Sequence, residues 1–75
     1  MKPKWDDAVP VTMTGEMIDS SEAAETYLRR HWAELPERER ATLYRRLIVA
    51  REGRGPHASV RDAFKALVSA SAHHL

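Results

Sequence analysis

Few side chains in this 75-residue chain are equipped for chemistry: four histidines, a scatter of serines and nine arginines, with no cysteine. His31 falls at the centre of an apolar helical face, where it could serve as a metal ligand or a pH switch. No second His, Cys or carboxylate stands at ligand spacing on that face. A packed histidine with one hydrogen-bond partner is the plainer expectation. Adjacent residues on a helix point about 100° apart, so His73 and His74 cannot chelate from a regular helix. Ser20, Ser21, Ser59 and Ser69 are nucleophiles by residue type only. His57 has no acid at helix spacing, and no Gly-rich oxyanion loop accompanies it. Gly53-Arg54-Gly55 lacks the Gly-Lys-Ser/Thr ending and the preceding strand of a phosphate loop. The expectation is a chain that is not an enzyme, with no catalytic residues, no metal and no cofactor.

Charge is the feature that rises above background. Residues 1–28 carry two lysines against six acidic residues, a net −4. Residues 29–75 carry ten basic and five acidic residues, a net +5, so the whole chain is +1. Arginine favours bidentate pairing with carboxylate or phosphate. The candidate interaction residues are therefore Arg38, Arg45, Arg46 and Arg51. Two readings stay open. The arginine side meets an acidic or nucleic-acid partner, or the acidic half meets the basic half, within one chain or head-to-tail between subunits. Ordinary solvated helix faces also produce such counts. Nucleic acid is the less expected partner: the whole chain is nearly neutral, and the start of the last helix exposes only Arg61 and Lys65, with Asp62 between them.

The elements that must position these residues follow from periodicity. Residues 1–8 read as an arm ending near Trp5. Val9, Val11 and Met13 alternate with Pro10 and Thr12, the period of a half-buried strand. With Thr14-Gly15 as connector, a β-hairpin over about 9–19 is predicted, Pro10 lying on an edge or at a strand start. Asp19-Ser-Ser-Glu22 has the form of a capping box in which Asp19 caps and Glu22 reaches back. A helix over about 20–33 then places Ala23, Ala24, Tyr27, Leu28, His31 and Trp32 on one face. Pro36 suits the first turn of a second helix over about 37–52, closed by Gly53. Its inner face reads Leu43, Tyr44, Leu47, Ile48 and Ala50. A third helix over about 57–72 turns Val60, Ala63, Phe64, Leu67, Ala70 and Ser71 inward and Arg61, Asp62, Lys65 and Ser69 outward; Ser59 with Asp62 reads as its capping signal. The fold class is α+β, one mini-domain over 9–72 with a frayed tail at 73–75. Its predicted core is Trp5, Tyr27, Leu28, Trp32, Tyr44, Leu47, Ile48, Phe64 and Leu67.

The order Trp5, Pro10-Val11, Ile18 before a capped helix, Ala23-Ala24, Leu28 and Trp32, then Gly53, Arg61 and Ala63-Phe64, resembles a family of small bacterial proteins, domain of unknown function 982. The resemblance covers about residues 5–72. It implies a stand-alone protein of this length and carries over no catalytic or ligand residue. The family tends to place an aromatic and an aliphatic residue near Arg40 and Arg51, and often a cysteine near Leu47, so two arginines enter an otherwise apolar stripe here.

Arg51 is the sharper of the two. It lies in the last turn of its helix, where the dipole favours a cation and the stem can cover apolar surface. It should find a carboxylate or backbone carbonyls, in its own chain or across a dimer interface, with Asp19 or Glu16 the nearest candidates. No stretch approaches the roughly 20 apolar residues of a membrane span, and Met1–Pro10 is too polar for a signal peptide. The expectation is a small cytoplasmic protein acting through protein contacts, its own homodimer among them. A nucleic-acid-associated regulator using the arginine-rich half is the alternative.

Overall fold

A computed structural model describes residues 4–11 and 14–72. The predicted inward position of Met13 and the predicted tail at 73–75 lie outside the described residues. Strand β1 (Val9–Val11) pairs antiparallel with β2 (Glu16–Ile18), with Val9 opposite Ile18 and Val11 opposite Glu16. Pro10 costs no ladder bond at the edge of a two-stranded sheet, and its side chain is exposed. Gly15 adopts a φ of 75°, the left-handed conformation that favours glycine, and its N–H donates to the Val11 carbonyl at 2.8 Å. Val9, Val11 and Ile18 face inward and are buried.

Helix α1 (Ser21–His31) runs into a single 3₁₀ turn at Trp32–Glu34. The chain then forms α2 (Glu37–Arg51) and α3 (His57–Ala72). This hairpin followed by three helices is an α+β arrangement. One expected cap is corrected. Ser20, not Asp19, caps α1, its Oγ accepting from the Ala23 N–H at 3.1 Å. A hydroxyl at the residue immediately before the helix reaches the third amide; Asp19 sits one residue too far back. Asp19 instead receives the Trp5 N–H on its carbonyl at 2.6 Å, which clips the arm to the end of the hairpin. Ser59 is likewise no cap, since α3 has already begun at His57.

The end of α2 is a Schellman motif. Gly53 takes a φ of 75° and donates to the Ala50 carbonyl at 3.1 Å, and the Arg54 N–H reaches the Val49 carbonyl at 3.0 Å. Gly55 then passes close to Val49: a Cβ there would lie 2.7 Å from Val49 Cγ1.

One buried cluster joins the arm, the hairpin and all three helices. Phe64, with 0% of its surface exposed, sits between the rings of Trp5 and Tyr27 at centroid separations of 5.8 and 5.5 Å. Leu28, Leu47 and Leu67 are buried around them. Three expected core residues are not buried. Trp32 is 40% exposed, Tyr44 is 51% exposed and Ile48 is half-buried. The reason is rotational. Helix α2 packs chiefly against α3, so its buried stripe is Leu43, Leu47 and Ala50. At 100° per residue Tyr44 lies roughly 90° round from the centre of that stripe, and Ile48 farther still. Trp32 stands at a similar angle from the Ala24, Tyr27 and Leu28 stripe of α1, at the helix end. Both rings thus fall on the outer side of the α1–α2 seam.

Candidate interaction surface

The exposed rings are organised. Trp32 and Tyr44 meet edge-to-face, with centroids 6.0 Å apart and planes at 75°. The Arg40 guanidinium lies 4.8 Å from the centre of the Trp32 ring. Its Nη1 donates to the Trp32 carbonyl at 2.8 Å, with the Leu35 carbonyl a second, longer acceptor at 3.4 Å. Arg40 therefore caps the carbonyls at the end of the 3₁₀ turn, adding a second donor to the Trp32 carbonyl that already accepts the Leu35 N–H at 3.3 Å, and holds the indole by a cation–π contact. An arginine in the apolar stripe, four residues before Tyr44 and eight after Trp32, was the sequence signal for this cluster. Only tertiary packing shows that the three meet.

The four arginines singled out by sequence do not form one patch. Arg51 pairs with Glu25 of α1, rather than with Asp19 or Glu16. Its pKa is raised, first by that hydrogen bond and then by the Glu25 charge. Glu25 also takes Arg29 at 3.1 Å. Glu16 takes Arg30 at 3.5 Å, and Asp19 lies 4.0 Å from Lys4. Arg46 Nη1 donates to the Ser59 carbonyl of α3 at 3.1 Å. Several acidic residues of the first half are thus matched by cations inside the chain. Arg38 and Arg45 remain, exposed and without a partner among the described residues.

A second constellation went unread in the sequence. Trp5 Nε1 donates to Ser21 Oγ at 3.3 Å, and that oxygen lies 2.7 Å from His57 Nδ1. Because Ser21 accepts from the indole, its own hydroxyl hydrogen is free to donate to His57. The three residues are far apart in sequence and tie the arm to the starts of α1 and α3. A small hollow of about 90 Å³ adjoins them, lined by Lys4, Asp6, His57 and Arg61 among others. Arg61, expected in solvent, is half-buried, and its Nε is buried without a hydrogen-bond partner among the described residues. His31 differs from expectation as well. Its ring lies 4.5 Å from Tyr27, its Nδ1 is 3.6 Å from Glu34, and its buried Nε2 has no hydrogen-bond partner among the described residues. Tyr27 has a raised pKa, through burial first and then the charges of Glu16 and Glu34.

Among the described residues no group of three or more His, Asp or Glu is placed to hold a metal ion, and no helix is long and apolar enough to cross a membrane. Compared with known proteins, the chain matches no family model, no curated protein and no solved structure.

Proposed function

We propose that this chain is a non-enzymatic, cytoplasmic protein–protein interaction module, of the small bacterial family it resembles, that contacts partners through the Trp32–Arg40–Tyr44 cluster and self-associates there. The observation that carries the reading is the exposure of Trp32 and Tyr44, 40% and 51%, on a chain this small. Trp, Tyr and Arg are the residue types enriched at the energetic centres of interfaces. The cluster is also held in place before binding: Arg40 is tied to two carbonyls and the two rings brace each other. Side chains already fixed lose little entropy on docking. A patch of two rings meeting edge-to-face can also face its own copy across a two-fold axis.

The test is sedimentation velocity together with capture of proteins from native extract, comparing wild type with a Trp32→Ala/Tyr44→Ser double variant. Wild type is expected to exceed its 8.5 kDa monomer mass or to retain specific proteins. The double variant should lose both while keeping its helical signal. A monomeric wild type whose captured proteins are unchanged in the double variant would overturn the reading.

A further inference from the structure

We infer that the outer face of α2 is a docking groove for an acidic amphipathic helix of another protein, with Arg38 and Arg45 as its paired anchors. The inference rests on the protein-contact reading above and gives the partner its chemistry. Seven of the nine arginines have a partner within the chain. Arg29 and Arg51 hold Glu25, Arg30 holds Glu16 and Arg54 holds Glu52. Arg40 and Arg46 hold backbone carbonyls, and Arg61 lies 3.8 Å from Asp62. Arg38 and Arg45 have none among the described residues, and both line one shallow, open groove along the exposed face of α2 with Glu37, Ala41 and Thr42.

The geometry selects the occupant. Residues seven apart on a helix share a face and stand roughly 10 Å apart along the axis. Between the two guanidiniums the floor is small: Ala41, and Thr42 whose hydroxyl already donates to the Arg38 carbonyl at 3.1 Å. Such a floor takes an aliphatic side chain, and the walls take two carboxylates. A helix carrying acidic residues seven apart, with an aliphatic residue between them, offers both, and arginine pairs bidentately with each carboxylate. Glu37 on the same groove opposes a continuous polyanion such as a nucleic-acid backbone and welcomes a basic residue beside the acidic pair. A second copy of this chain is a poor occupant. It has no two acidic residues seven apart, and its Glu16, Asp19 and Glu25 already face cations. The groove adjoins the aromatic cluster, since Ala41 precedes Tyr44 by three residues on the same helix.

The experiment is a display selection of helical peptides of about 20 residues, long enough to hold a helix, against the full chain. Selected peptides and a random single-stranded oligonucleotide are then titrated by fluorescence anisotropy. Enrichment of Asp or Glu seven apart is expected. Binding should weaken roughly tenfold or more in an Arg38→Gln/Arg45→Gln double variant and stay unchanged in Arg29→Gln, whose cation is already held by Glu25. Circular dichroism of the double variant should match wild type, because both side chains are exposed. Selected peptides without the acidic pair, or equal binding by the double variant, would overturn the inference. If such peptides are lost in the Trp32→Ala/Tyr44→Ser variant, the broader protein-contact reading survives. Tighter binding of the oligonucleotide, lost in the arginine double variant, would assign the groove to nucleic acid instead. An empty selection would overturn the inference while leaving the extract capture to judge the broader reading.

Discussion

Truncating Phe64 and truncating Trp32 should have unequal costs, although the apolar pattern of the sequence places both in the core. Phe64 is fully enclosed and touches two other rings. Phe64→Ala removes its transfer free energy and leaves a cavity that α3, pinned on both sides, cannot close, at a cost of about 3–5 kcal/mol. Trp32 keeps 40% of its surface in water. Its removal leaves no enclosed void, so the loss is the transfer of the covered part of the ring plus its edge contact with Tyr44 and its cation–π contact with Arg40, about 2–3 kcal/mol. A domain of this length holds roughly 4–11 kcal/mol in total. With a urea slope of ~1 kcal/mol/M for a small domain, Trp32→Ala should lower the midpoint by about 2–3 M and Phe64→Ala by about 3–5 M. The second shift is large enough to leave some of the chain unfolded without denaturant. Phe64→Leu keeps most of the volume and should cost about 1–1.5 kcal/mol, which gives a folded reference point on the same site. Equilibrium urea melts followed by far-UV circular dichroism measure all three. Trp32→Ala costing as much as Phe64→Ala, or Phe64→Ala within ~1 kcal/mol of wild type, would refute the placement of the core.

Ser20→Ala should cost about 0.5–2 kcal/mol through loss of the α1 cap, whereas Asp19→Ala should stay within about 0.5 kcal/mol because among the described residues its side chain makes only an exposed 4.0 Å ion pair. Denaturant midpoints in the reverse order would return the cap to Asp19. Stability should also fall in alkali. The native pKa of Tyr27 lies above the ordinary 10.0, so the folded state holds the phenol proton longer than the unfolded one. The resulting stabilisation is present below pH 10 and disappears as pH rises through the native value. Denaturant melts of Tyr27→Phe between neutral pH and pH 11 should show a shallower decline than wild type; parallel curves would refute the assignment.

Local patterning determined much of this protein. Alternation in Val9-Pro10-Val11, a glycine able to take a left-handed turn at Gly15, Pro36 before one helix and Gly53 after it are short-range signals. Each is read within a few residues, and the resulting elements lie close to their expected bounds. The burial of Phe64 and Leu67 was also legible, because α3 carries one narrow apolar stripe. What tertiary structure decided is which side of a broad stripe faces inward. On α2 the apolar positions span Leu43, Tyr44, Leu47, Ile48 and Ala50, wider than one neighbour can cover. Packing against α3 chose the Leu43–Leu47–Ala50 side and left Tyr44 outside. That choice depends on helix rotation, a global minimum of core packing, and no local spacing encodes it. The same holds for charge. Composition showed an acidic half and a basic half, but three-dimensional proximity gave Glu25 to Arg51, bound Arg46 to the Ser59 carbonyl, and left Arg38 and Arg45 facing solvent. Ion pairs between residues distant in sequence follow from which faces the core brings together. The candidate surface is therefore what remains after the hydrophobic core has set the orientation of its helices.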